Sequence, residues 1–298
     1  MDARAFAGGG FCLPALAVLV AVWACPGCSR APVSESQTGP QAQSQVGGTV
    51  SVLVPGGVLG PYIEIKDLFA QRHPALVITH EMNSIQVLTR WVVDQERLPD
   101  VWLSLGDQEM SRAVQAGRVD GELLTCAHMQ LALITKAGNP LGIEGLADLA
   151  QASIAEVALP DPQNSAGFHL ERALQQAGLS EALADRTWYG PEPYHVKERV
   201  AWGHADVGVI YYPCSLETEE TSEPTPTRMP ESMHLVGKIP WDVVAPIPVQ
   251  AAVIRGCNHL DAGRAFSQFL LSEPAQRAFA RWGFLPAQTG AEARPSPR

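Results

Sequence analysis

Short β-branched runs alternate with stretches of helical periodicity through residues 49–286, and this alternation restricts the chain to an α/β architecture. Residues 49–54 alternate as a strand and stop at Pro55-Gly56-Gly57. Beyond it, Tyr62, Ile65, Leu68 and Phe69 share one helical face, with Pro61 suited to a first turn. Residues 76–82 read as a second strand, and Ser84 can cap a helix carrying Ile85, Leu88, Trp91 and Val92. A third strand over 101–105 leads into a helix from Asp107 that Gly117 can end. Further on, strands over 131–135, 156–159, 207–211, 234–239 and 249–254 alternate with helices over 166–177 and 196–202. Two helices, 259–271 and 273–282, close the folded part. Strands separated by helices at this spacing form βαβ units, so two α/β lobes with mostly parallel sheets are expected.

Both ends differ from this pattern. Arg4 precedes an apolar run of about 14 residues, 11–24, which is signal-peptide length and short for a membrane span. Small residues then lead to Cys25 and Cys28, a pattern that resembles a bacterial lipoprotein signal with a lipid anchor on one of the two cysteines. Residues 1–28 are therefore expected to direct export to the periplasm or another extracytoplasmic space. Residues 29–48 are rich in Ser, Gln, Pro and Gly and read as a flexible tether. The stretch 217–232 holds five acidic residues, three prolines and four threonines and reads as a solvated insertion. Residues 287–298 read as a disordered tail. With 46% hydrophobic and 17% charged residues, the remainder is globular.

Charge narrows the partners. The formal net charge is -10, and no segment concentrates Lys or Arg, which argues against nucleic acid and anionic membrane surfaces. Six cysteines are too few for a disulfide scaffold, and no recurring CxxC spacing suggests zinc. Cys126, Cys214 and Cys257 form an odd set in the globular part, compatible with one disulfide or with buried thiols. Nucleophile-elbow, zincin, P-loop and dinucleotide-fingerprint motifs are absent from the sequence, so no enzyme is expected.

Open parallel sheets bind ligands beyond the carboxyl ends of their strands. Three such junctions carry small polar residues and no Lys or Arg: Pro55-Gly56-Gly57-Val58, Asn83-Ser84-Ile85 and Asn164-Ser165-Ala166-Gly167. Free N–H groups and hydroxyls there can serve an anion through neutral donors and helix dipoles, although each junction alone is also an ordinary cap.

In order along the chain, these junctions and their flanks resemble the periplasmic molybdate-binding proteins of ABC importers, which have the type II periplasmic binding fold. The resemblance runs from Val52 to Phe284, about four fifths of the chain. It is carried by Val52 to Phe69, by Pro99-Asp100-Val101-Trp102-Leu103-Ser104, by Leu159 to Leu174, by Val196-Lys197-Glu198-Arg199, by Asp206-Val207-Gly208-Val209-Ile210-Tyr211-Tyr212 and by the closing Phe279-Ala280-Arg281-Trp282-Gly283-Phe284.

What the resemblance implies is a monomeric receptor that holds molybdate or tungstate between two lobes, without cofactor, and hands it to an inner-membrane ABC permease. It implies one lobe from 49–128 plus 246–286 and the other from 129–245. Backbone donors at Ala166 and Val196, the Tyr211 phenol, and Ser84 with Asn83 beside it would face the oxyanion. Gly57 stands where the family has a serine, so Gly57→Ser is expected to add a donor and tighten binding. Sulfate or phosphate are alternatives within the same mechanism. A ferric site using Tyr211 and Tyr212, with His80 and Glu81 as partners, is a further one. His195, beside Val196, is either a cleft or a surface residue.

Overall fold

The computed structural model describes residues 48–216 and 231–288. The expected leader, the tether up to residue 47, the acidic insertion over 217–230 and the tail from 289 lie outside the described residues. Among the described residues, no helix is long and apolar enough to cross a membrane.

The strands are β1 (Gly48–Pro55), β2 (Leu76–Asn83), β3 (Val101–Ser104), β4 (Val119–Met129), β5 (Leu131–Lys136), β6 (Val157–Pro160), β7 (Thr187–Gly190), β8 (Val207–Tyr211), β9 (Met233–Lys238), β10 (Ile247–Ile254) and β11 (Leu285–Pro286). The α-helices are α1 (Leu59–Arg72), α2 (Ile85–Val93), α3 (Asp107–Gln115), α4 (Ser165–Gln176), α5 (Ser180–Leu183), α6 (Pro193–Ala201), α7 (Leu260–Phe269) and α8 (Glu273–Arg281). One sheet has the order β11-β4-β10-β3-β1-β2, the other β7-β6-β8-β5-β9. The chain leaves the first sheet at Met129, enters the second at Leu131, and returns between Lys238 and Ile247.

Both sheets are mixed. Strands that alternate with helices pair in parallel, β2-β1-β3 in one sheet and β7-β6-β8 in the other. The strands that lead into or out of the crossings, β4, β10, β5 and β9, pair antiparallel. Their direction follows from the chain's passage between sheets, which strand-to-helix spacing does not encode. The strand β4 has no counterpart in the sequence reading. Its sequence, VDGELLTCAHM, has no β-branched run, and Gly121 adopts a positive φ of 73° within it. Pairing with β10, with register shifts, makes it a strand.

Local chemistry sets the helix ends that matter for function. The Ser84 hydroxyl accepts from the Val87 N–H at 3.3 Å, and the Asn164 side chain accepts from the Gly167 N–H at 2.9 Å. Pro193 opens α6. In α2, Ile85, Leu88 and Val92 face inward at helical spacing. The terminal helices return to the first lobe, where Phe266 and Phe269 each meet Phe69 of α1 edge-on with ring centroids 5.2 Å apart. Asp100 is buried and accepts from the Ser51 N–H, the Ser51 hydroxyl and the His259 N–H, which fixes the entry to α7 against β1.

Candidate functional site

In both lobes the junctions after parallel strands point toward the other lobe. The first lobe supplies Ser84-Ile85 after β2 and Leu105 to Glu109 after β3; the second supplies Asn164-Ser165 after β6, Glu192-Pro193 after β7, and Tyr211 at the end of β8. They enclose a cavity of about 10 Å³ lined by Ile85, Leu105, Glu109, Asn164, Glu192, Pro193 and Tyr211. That is room for about one water molecule. Its lining contains two carboxyl groups and no Lys, Arg or His.

Side chains from the two lobes grip each other across this cavity. The Ser165 N–H, at the start of α4, donates to Glu109 Oε1 at 3.0 Å, and the Ser165 hydroxyl donates to Glu109 Oε2. The same hydroxyl accepts from the Gln108 N–H at 3.0 Å. The carboxylate of α3 thus sits against the N-terminus of α4, where the helix dipole favours negative charge. Burial pushes the Glu109 pKa up, only partly offset by the hydrogen bonds from Ser165. Beside it, His169 Nε2 lies 2.8 Å from Asp107 Oδ1, again between lobes. Burial alone would raise Asp107, but His169 together with hydrogen bonds at the start of α3 outweighs it and holds the group below the ordinary carboxylate range.

Gly106 is what allows the two lobes to approach this closely. A Cβ at this position would overlap the Ser165 side chain. Its backbone is extended, so the requirement for glycine comes from the approach of Ser165 and not from its φ.

Glu192 is the second carboxyl group in the cavity. Its pKa is pushed up to about 7, by burial first and also by the charge of Glu109; a hydrogen bond from Ser84 opposes the rise. Glu192 Oε1 is buried and has no hydrogen-bond partner among the described residues. A carboxyl group in this state carries its proton in part near neutrality, and that protonated form can donate a hydrogen bond.

The residues singled out in the sequence fall around this cavity with unequal roles. Tyr211 lines it, buried at 3% exposure, and its hydroxyl donates to the Leu105 carbonyl at 2.7 Å. The proton that the resemblance assigns to an oxyanion therefore goes to the opposite lobe here. Burial and the nearby carboxylates hold the Tyr211 pKa well above its ordinary value. Ser84 and Asn83 sit at the mouth of α2, with the Asn83 side chain accepting from the Ser84 N–H at 2.8 Å. Ala166 is buried in the first turn of α4, next to Ser165. The Val196 side chain is fully buried and packs on Gly190 and Gly208, so it serves the core and leaves only its backbone for a ligand. Gly57 faces Leu105 and Cys214: a Cβ there would lie 2.8 Å from Leu105 Cδ1 and 3.3 Å from Cys214 Sγ. The space expected for a serine side chain is filled by those two residues.

The residues proposed for a ferric site do not assemble. The Tyr212 ring carries the Lys238 ammonium at 3.8 Å, His80 packs edge-on against Tyr62, and Glu81 pairs with Arg97. No group of three or more His, Cys, Asp or Glu among the described residues is placed to hold a metal ion. The His195 ring lies against Tyr194 at 3.9 Å. Cys126, Cys214 and Cys257 are free thiols. Burial pushes both Cys126 and Cys214 up to about 12.

The sequence reading missed Glu109 and Glu192. Acidic residues in a first helical turn read as ordinary helix-dipole partners, and Asp107-Gln108-Glu109 gave no other sign. The available signal was positional: Leu105-Gly106 is a fourth strand-to-helix junction at a strand's carboxyl end, with a glycine in it.

Comparisons with known proteins agree with this geometry. A family model described as bacterial extracellular solute-binding protein matches residues 50–285. The periplasmic molybdate-binding protein of Azotobacter vinelandii superimposes with a TM-score of 0.64 at 18% identity, covering 79% of this chain and 98% of that one. The sulfate-binding protein SubI of Mycobacterium tuberculosis H37Rv gives 0.61 at 20% identity over 84% of this chain and 92% of that one. Iron-bound HitA of Pseudomonas aeruginosa gives 0.62 at 17% identity over 84% and 90%. No curated protein matches the sequence. At these identities the solved structures establish the fold: two lobes in the type II periplasmic binding arrangement.

Proposed function

Because the chain belongs to the bacterial extracellular solute-binding protein family, we propose that it captures a small oxyanion, molybdate or tungstate foremost, for an ABC importer in the inner membrane. The observation that carries this reading is the coordination of the Glu109 carboxylate. A backbone N–H and a hydroxyl at the α4 N-terminus take one oxygen each of an O–C–O group. Donors spaced for a carboxylate also suit two oxygens of a tetrahedral oxyanion. Glu192, with its pKa raised to about 7, adds a donor in its protonated form without adding a positive charge. Such neutral donors gain strength in a closed, poorly solvated cleft. The leader sequence supports export and a lipid anchor at Cys25 or Cys28.

The test is calorimetric titration of the purified protein with molybdate, tungstate, sulfate, phosphate and ferric citrate. Saturable heat from molybdate or tungstate, with sulfate weaker, is expected. Binding of ferric citrate alone would overturn the oxyanion reading, and sulfate alone would move the reading to that anion.

A further inference from the structure

Glu109 does more than line the cleft. It belongs to the first lobe, it is 4% exposed, and both its oxygens are held by Ser165 of the second lobe. It therefore occupies the donors that an oxyanion would need. Gly106 has no side chain to hold Ser165 away, so the Ser165 donors can reach the Glu109 carboxyl group directly. We propose that Glu109 is a built-in competitor for the solute: its carboxylate takes the anion's place at the α4 N-terminus, closes the lobes, and must be displaced before an oxyanion can bind there.

The inference rests on the oxyanion reading for the identity of the solute, but closure by Glu109 can be judged without it. One N–H and one hydroxyl cannot serve Glu109 and an oxyanion at the same time, and whatever charge Glu109 carries would repel a dianion at contact distance. Displacement would move Glu109 out of the cleft on α3 and open room that a cavity of about 10 Å³ does not have. The affinity seen from outside is then the intrinsic affinity multiplied by the fraction of molecules in which Ser165 is free of Glu109. Glu109 would set the threshold concentration for capture and disfavour weakly held anions.

The experiment compares wild type, Glu109→Gln and Glu109→Ala by calorimetric titration with molybdate, and by small-angle scattering without added anion. Glutamine keeps the shape and one acceptor but no charge; alanine frees both donors. Molybdate affinity about ten- to a hundredfold tighter in either variant is expected, the span for loss of a charge-assisted competitor. If wild type binds molybdate and neither variant binds it more tightly, the inference is overturned. If none of the three binds any oxyanion, the functional reading falls and scattering decides the inference: a larger radius of gyration in the variants sustains closure by Glu109, and an unchanged one ends it.

Discussion

The Tyr211 hydroxyl and the Leu105 carbonyl are joined at 2.7 Å, the end of β8 in one sheet to the residue after β3 in the other. The pair is buried, and the phenol has one proton to give. Tyr211→Phe keeps the ring and leaves the carbonyl unsatisfied, so a stability loss of about 1 to 3 kcal/mol is expected in urea unfolding. Wild type should stay colourless in ferric citrate, because a phenol committed to a carbonyl is not a tyrosinate. A visible charge-transfer band lost in Tyr211→Phe would contradict this assignment.

At Gly57 the packing leads to an expectation opposite to the one drawn from the resemblance. A serine Cβ would press on Leu105 Cδ1 and Cys214 Sγ, so the variant must shift the Leu105 side chain, which is buried and has little room to move. Gly57→Ser should cost about 1 to 3 kcal/mol by overpacking and leave molybdate binding no tighter. Calorimetric melting together with titration checks both halves.

Gly106→Ala tests closure from the backbone side. Ser165 is too short to swing away from the added methyl, since its Cβ is itself in the way. The lobes should part, with a larger radius of gyration in scattering and loss of the Ser165–Glu109 contact. An unchanged radius would show that the cleft relaxes locally.

Glu192 predicts a pH dependence. Its folded value of about 7 lies above the ordinary glutamate value of 4.5, so the folded state binds the proton more tightly than the unfolded one. Its contribution is present below about pH 4.5 and is lost as pH rises toward 7 and above. Glu192→Gln should remove that loss, raising stability at pH 8 by about 1 to 3 kcal/mol and by nothing at pH 4.5. Equal denaturant midpoints of the two proteins at pH 8 would contradict the raised value. Ser84 and Glu109 are the groups that face it, so the variant should also flatten any fall in molybdate affinity between pH 6 and 8.

The sequence by itself determined the alternation of strands and helices, the cap residues Ser84 and Asn164, and the stop at Gly117, because these depend on neighbours a few residues apart. Periodicity and capping are local, and they survive in any fold that uses them. Tertiary structure alone decided that β4 is a strand, since its pairing with β10 and β11 supplies hydrogen bonds that a sequence without a β-branched run does not advertise. It also decided which atoms meet in the cleft. Glu109 and Ser165 are 56 residues apart and Tyr211 and Leu105 are 106 apart, so no spacing rule links them. Their partnership arises because the chain passes from one sheet to the other at Gln130 and back after Lys238, bringing the carboxyl ends of both sets of parallel strands face to face.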